Sequence, residues 1–464
     1  MFTMAKIKGS GGGFGNSAES FYQAHLSAND YYSEHEKIQG TWKGKLAAYF
    51  NLQGQKVDCK SFCQFQQNIN PDTGKKLTVR THEKGIRFFD FQCSAQKSVS
   101  IMATVGGDTR LVTVHRKAVE FAMKELETFA AVRVRAGNAA WTKNDRITGN
   151  IVYAEYHHDA SRSLDPQLHC HNVVANCTYD DQNNELKALE PLEMCKAIRY
   201  AGKVYQNEVA RQVKELGYEI EKKRDKKGNI KGFEIKGFSQ ELLELYSSRR
   251  TQIEVAAEEF RKKEGRAPST KELNVIARNT RDAKLKKITT PEVRGLQMKK
   301  LSPEHRKIIL QIRESLSEKQ NPYPSPERLQ SMIDNVIEHM FERQSVLTTD
   351  KIFAEVLNQN LGNINLEHLR KAILENPNIV SLPGNSVSPY LVSKKIMEKE
   401  ILSMESVEAG KNACSAINSD FAPFQERNPD YDYRQPEKVI KGILSSSDRF
   451  ILFSGKAGAG KTSA

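Results

Sequence analysis

The nine residues Leu168 to Asn176 (LHCHNVVAN) restrict the possible folds of this chain more than any other stretch. They read as one buried strand. Side chains alternate faces along a strand, so His169 and His171 point the same way. Two imidazoles side by side are half of a metal site. His158 stands across the Pro166 loop, at the preceding strand (Asn150 to Tyr156), and is placed to supply the third ligand. Three histidine ligands leave coordination positions open, as in a catalytic site rather than a closed structural one. The competing reading is two histidines on a polar sheet face with no ion. The His158-Asp159 pair and the Pro166-Gln167-Leu168-His169 frame favour the metal, as does the crowding of four of the eleven histidines into Tyr156 to His171.

Gly85 to Thr104 is the second informative stretch. Phe88, Phe89 and Phe91 predict a buried strand with Asp90 inside it. A carboxylate there needs a partner, because an unpaired buried charge is costly. Ser94 to Ser98 opens a second strand or a turn. Thr109 to Val134 carries apolar residues at helical spacing (Val112, Val119, Phe121, Ala122, Leu126, Phe129), which predicts one long amphipathic helix. Thr148 to Tyr156 and Leu168 to Thr178 read as paired strands. This succession predicts an α+β domain with an antiparallel sheet.

The flanking segments follow the same logic. Phe2 to Lys8 reads as a first strand and Gly9 to Gly15 as a turn. A helix starts near Asn16 to Glu19, capped by Ser17 or Asn16. Tyr22, Tyr31 and Tyr32 follow; by themselves, tyrosines near a helix more often pack than react. An apolar helix ends at Leu52. Leu189 to Leu216 is helical, Glu219 to Ile235 is a hairpin, and Phe238-Ser239 caps a further helix. Between Arg211 and Lys300 there are 24 Lys and Arg against 14 Asp and Glu. That imbalance favours a phosphate-tracking surface over a merely solvated one.

At 464 residues with a net charge of +13, the chain is long enough for several domains and suited to an anionic partner. No apolar run approaches the roughly 18 residues of a membrane span. The Gly-rich start has no apolar core, so no secretory signal is expected. Seven scattered cysteines without a C-x-x-C pair fit reduced, cytosolic thiols.

After Pro303 the rhythm changes. Helices at Pro326 to Gln344, Thr349 to Leu357 and Asn365 to Glu375 precede a hairpin, Ile379 to Leu382 with Tyr390 to Val392, an order resembling a winged helix. Met397 to Ser415 is a further helix and Asn418 to Gln435 a polar connector. The chain closes on a strand from Arg449 feeding Gly455-x-x-Gly458-x-Gly460-Lys461-Thr462. In such a loop backbone N–H groups cradle phosphates, the lysine reaches the β/γ-phosphates and the threonine serves Mg²⁺. It reads as the beginning of a larger ATPase, and without the remainder of the nucleotide fold this stretch should not hydrolyse ATP.

Three stretches together resemble the MobF-group (TrwC/TraI-like) conjugative relaxases, which join an N-terminal HUH strand-transferase domain to a superfamily 1 helicase. They are Phe89 to Ser100 (FDFQCSAQKSVS), His158 to Asn176 (HDASRSLDPQLHCHNVVAN), and Tyr31-Tyr32 ahead of Gly40-Thr41-Trp42. The resemblance covers residues 1–300, and the P-loop matches the start of the helicase. It implies an HUH-type antiparallel palm with flanking helices and a helical lid. Three regions are expected: the relaxase domain at 1–300, a winged-helix-like part of the helicase region at 301–435, and the first strand and P-loop of the motor at 436–464.

Carried over residue by residue, His158, His169 and His171 form the metal triad. Asp90 orients one of them and takes a proton from the nucleophile. The sequence departs from the family at the nucleophile, where Phe21-Tyr22 replaces a tyrosine pair. Tyr22 is the first choice, with Tyr31 or Tyr32 as the second nucleophile.

The implied function is site- and strand-specific nicking and rejoining at a plasmid transfer origin through a phosphotyrosyl intermediate. The metal would be divalent (Mg, Mn, Zn or Ni), with MgATP used only by a complete helicase. The partners would be origin single-stranded DNA, accessory relaxosome proteins and a type IV secretion coupling protein, in a bacterial cytoplasm. Three other functions compete: a rolling-circle replication initiator with the same chemistry, a three-histidine zinc hydrolase, and a non-catalytic DNA-binding protein.

Overall fold

The computed structural model describes residues 2–8, 40–79, 85–134, 144–280, 288–316, 323–385, 387–418, 434–452 and 454. Their contacts separate into two compact units. The first comprises Met1–Met340, Leu347–Asn376 and Pro383–Tyr390; the second comprises Phe341–Val346, Pro377–Leu382 and Leu391–Ala464.

The first unit is built on a five-stranded antiparallel sheet. Its order is Phe2–Lys8, Ile86–Ser94, Pro166–Ala175, Tyr153–Ala160, Thr41–Lys43. The H-x-H strand therefore lies in the middle, hydrogen-bonded on both sides. One register pairs Gln92 with His171 and Ser94 with His169; the other pairs His158 with His169 and Tyr156 with His171.

Period-two alternation sorts this sheet into two faces. Phe88, Ala154, Tyr156 and Val173 share a core with Trp42, Leu46, Phe62 and Phe65 from Thr41–Lys43 and the short helices Lys45–Tyr49 and Cys59–Gln66. Gly40 is required there. A Cβ would lie 2.5 Å from Cε1 of Tyr156, well inside contact distance. Gly44 has φ +93°, and a Cβ would meet the Ile151 carbonyl at 2.2 Å. The opposite face packs under two long helices, Arg110–Glu127 and Leu192–Glu215, which present His115 and Tyr205.

Four sequence readings are corrected. Ser94 to Ser98 leads into a helix, Lys97–Thr104, rather than a strand or a lone turn. Its serines are ties: Ser100 Oγ accepts the Leu168 N–H at 3.0 Å and Ser98 Oγ accepts the Ile235 N–H at 2.7 Å. Both are almost fully buried.

The Thr109 to Val134 helix stops at Glu127, whose carboxylate accepts the Lys45 and Ile151 N–H groups at 2.7 and 3.0 Å. Ala131–Val134 is a strand paired with Asn144–Ile147, because sheet pairing overrides helical periodicity here. His158 lies inside the strand Tyr153–Ala160, which extends past the Tyr156 limit read from sequence. Among the described residues, Arg449 to Leu452 forms no strand and joins no ladder, and Leu452 is 95% exposed.

Ser239 caps Gln240–Leu245 through the Leu242 N–H, and the basic stretch continues as helices Ser248–Glu264, Thr270–Asn279 and Thr290–Lys299. Helices Pro326–Phe341, Thr349–Gln359 and Leu366–Leu374 precede strands Ile379–Asn385 and Ser388–Ser393, in the order read from sequence. Asn207, on Leu192–Glu215, receives the Gly362 N–H at 2.9 Å and donates to the Ile364 carbonyl at 2.8 Å. Thr349–Gln359 is thereby packed against that helix within the first unit.

Candidate metal centre

Strand register alone brings the three histidines together. His158 is the direct cross-strand neighbour of His169, and His171 lies two residues further on the same face. Their rings stand 4.9 to 5.5 Å apart between centroids. One ring nitrogen of each lies within 4.8 Å of the others. His158 and His171 are buried, with 5% and 8% of their surface exposed.

Each ring of the H-x-H pair has one nitrogen committed. Asp90 Oδ2 lies 2.8 Å from His171 Nδ1, and the Gln167 carbonyl lies 3.0 Å from His169 Nδ1. An acceptor at Nδ1 fixes that proton and leaves Nε2 as the lone-pair donor, the form a metal takes. Burial, and next the neighbouring His171, push the His169 pKa down to about 4, so its ring is neutral near pH 7. The donor set fits a divalent ion.

Asp90 has the partner its burial demanded. It is fully buried, and Oδ2 also accepts from Gln92 Nε2 at 2.7 Å. Its other oxygen, Oδ1, has no hydrogen-bond partner among the described residues. Gln92 was not singled out from the sequence, although alternation from Asp90 puts it on the same face.

A second feature was also missed: the turn joining the two histidine strands is clamped. Leu164 adopts φ +60°, unusual for a branched residue, and its carbonyl accepts from Gln297 at 2.8 Å. Asp165, 2% exposed, accepts the Ser248 N–H at 2.9 Å and the Lys300 ammonium at 2.7 Å. Arg294 pairs with Asp159. Part of the Lys and Arg excess read as phosphate-tracking is thus spent on the metal hairpin. The only sequence signal was a buried-looking aspartate before a proline.

The remaining sequence-predicted residues lie outside the described residues: Tyr22, Tyr31 and Tyr32, and Gly455, Gly458, Gly460, Lys461 and Thr462 of the P-loop.

An antiparallel sheet carrying an H-x-H pair, a cross-strand third histidine and a carboxylate behind one imidazole defines the HUH type of metal-site fold. Sequence comparison narrows the class. A model of the TrwC relaxase family matches residues 15–302, and the chain belongs to that family. It is 36% identical over 287 residues to the multifunctional conjugation protein TraI of Escherichia coli, an alignment covering 58% of this chain and 15% of that protein. The chain thus corresponds to a small part of this curated relative.

Among solved structures, metal-bound conjugative relaxase TrwC in complex with oriT DNA aligns with a TM-score of 0.53 at 27% identity, covering 65% of this chain and 97% of that one. A copper-bound form of the same complex gives 0.54 at 28% identity, with the same coverage. Among the described residues, no helix is long and apolar enough to cross a membrane.

Proposed function

We propose that this chain nicks one DNA strand at a plasmid transfer origin and later rejoins it, through a phosphotyrosyl intermediate that starts conjugative transfer. The observation carrying this reading is the buried triad His158, His169 and His171, with Asp90 seated behind His171, in a chain of the TrwC relaxase family. These three histidines would hold a divalent ion such as Mg, Mn, Zn or Ni. Bound there, the ion would offset negative charge on the scissile phosphate.

The chain's own groups do the rest. A phenolic oxygen, with a free pKa of about 10, needs a base to attack. Tyr22 is the proposed first nucleophile, with Tyr31 or Tyr32 for a second strand. Its oxygen bonds to phosphorus, its proton passes to Asp90 Oδ1, and the phosphorus–O3′ bond breaks, the departing 3′ oxygen taking a proton from solvent to leave a free 3′-OH. The phosphodiester bond energy is retained in the phosphotyrosine, so the reverse attack by a 3′-OH needs no ATP.

The strand-transfer region is 1–300, supported by the family match ending at 302. Residues 301–435 would begin the helicase region. The P-loop at 455–462 would bind MgATP in a longer protein. Single-stranded origin DNA, relaxosome proteins and a type IV coupling protein are the partners this role requires, in a bacterial cytoplasm.

The test is covalent adduct formation with an oligonucleotide carrying the cognate origin. Wild type should shift on a denaturing gel in the presence of divalent metal, and Tyr22→Phe should not, while still binding metal and DNA. An adduct from Tyr22→Phe but not from Tyr31→Phe would reassign the nucleophile. An adduct that survives in the variant lacking all three hydroxyls would remove the tyrosine mechanism.

A further inference from the structure

The strands that carry the triad carry a second set of metal-type donors on their other face. Glu155 and His157 alternate with His158, and Cys170 sits between His169 and His171. One donor atom from each of Glu155, His157 and Cys170 lies within 4.8 Å of the others. His157 and Cys170 are direct cross-strand partners. Cys170 is fully buried and Glu155 is 4% exposed.

The set is incompletely satisfied. His157 Nε2 lies 2.9 Å from Glu155 Oε1, yet Glu155 Oε2 and His157 Nδ1 have no hydrogen-bond partner among the described residues. Buried polar atoms are normally paired, so each such atom calls for an explanation.

His115, from the covering helix Arg110–Glu127, meets the His157 ring edge to face at 5.9 Å between centroids and is 1% exposed. Its Nδ1 is engaged by the Tyr205 hydroxyl at 2.7 Å, while its Nε2 has no hydrogen-bond partner among the described residues. One nitrogen fixed by an outer partner and the other left over is the usual dress of a metal-bound imidazole.

We propose that Glu155, His157 and Cys170 form a second metal site of zinc type, beside the buried ring of His115. A thiolate, imidazole and carboxylate set is the chemistry zinc takes in tetrahedral sites. The triad site in front has nitrogen ligands with open positions; here Cys170 is fully buried and Glu155 4% exposed, beside the helix Arg110–Glu127. Its role is structural: it ties the two histidine strands to each other and so holds the register that assembles the triad. On binding, the Cys170 thiol passes its proton to solvent as the sulfur–metal bond forms.

The obstacle is Lys43, whose ammonium lies 3.0 Å from Glu155 Oε1. It already has a second carboxylate, Glu120, at 3.6 Å on the exposed side. The ion would take the Glu155 charge and leave Lys43 to Glu120 and water.

The full chain, stripped of metal, is titrated with Co²⁺ and Zn²⁺. A cobalt–thiolate charge-transfer band in the near ultraviolet is expected from wild type and from His171→Ala. The band should vanish in Cys170→Ser and in His157→Gln, and wild type should retain one equivalent of zinc more than either. Should Cys170→Ser fail to fold, wild type, His171→Ala and His157→Gln decide the matter. Lys43→Met should tighten zinc at this site about tenfold by removing a neighbouring positive charge. Absence of the band in wild type, its survival in both back-face variants, or zinc affinity unchanged or weakened in Lys43→Met would overturn the proposal. The latter results would leave Lys43, Glu155 and His157 as a buried ion-pair network.

Discussion

The two faces of the central sheet use the same strands for opposite ends. On the front, His158, His169 and His171 converge, and the H-x-H pair is turned outward by acceptors behind it, Asp90 and the Gln167 carbonyl. On the back, Glu155, His157 and Cys170 also converge, but His157 leans on Glu155, which leans on Lys43. Proximity of donors is common to both. What separates them is which acceptors engage the rings and whether a cation is already present. Outer partners, more than the donors themselves, distinguish the open triad site in front from the closed, cation-neighboured set behind.

The sharpest way to break the comparison is to delete a front ligand. His169→Ala or His171→Ala should lower front-site metal affinity by more than the roughly 100-fold that outer partners carry, and abolish the covalent adduct. The back-face cobalt–thiolate band should stay. Isothermal titration and the denaturing gel read this directly. Equal occupancy in wild type and both variants would remove the triad as a metal site.

Next comes the outer partner. Asp90→Asn keeps shape and burial but presents either an amide N–H or a weaker acceptor to His171. Metal affinity should fall about 10- to 100-fold. The change should be confined to the front, since among the described residues Asp90 hydrogen-bonds within that face, to His171 and Gln92.

Gly40→Ala probes the apolar half of the front face. The new methyl group meets the Tyr156 ring, and Tyr156 is the cross-strand partner of His171. Overpacking of this kind costs about 1–3 kcal/mol, visible as a lower denaturation midpoint. A midpoint equal to wild type would show that Tyr156 yields freely.

The smallest effect should come from the clamp. Gln297→Ala leaves the Leu164 carbonyl without its side-chain donor and should cost about 1 kcal/mol, with a few-fold loss of front-site metal affinity. The back-face band should not change. Equal loss at both faces would mean that the helix Thr290–Lys299 supports the sheet as a whole rather than the metal hairpin.

Sequence alternation alone put His169 and His171 on one face, because the strand period is two whatever the tertiary context. It also required a partner for Asp90, because a carboxylate among Phe88, Phe89 and Phe91 has no water to solvate it. The motif Ala95 to Ser100 was recognisable, but its conformation was not. Gln96 enters the helix Lys97–Thr104 from extended backbone, and the serines serve strands 68 and 137 residues away. Residues so distant in the chain leave no local pattern. The same holds for Ala131–Val134, where an apolar run compatible with a helix becomes a strand because Asn144–Ile147 lies beside it.

The sequence by itself therefore determined the α+β class, the triad and its carboxylate, and the family to which they belong. The class and the shared face of His169 and His171 follow from local periodicity, and Asp90's need for a partner from the cost of burying charge; the family, and with it the completed triad, follow from the motif resemblance. Tertiary structure alone decided which acceptors engage Nδ1 of His169 and His171, that Asp165 and Leu164 are gripped by helices more than 80 residues downstream, and that Cys170 meets Glu155 and His157 behind the triad. Those are contacts between elements. Their geometry depends on register and helix packing, which no single stretch of chain encodes.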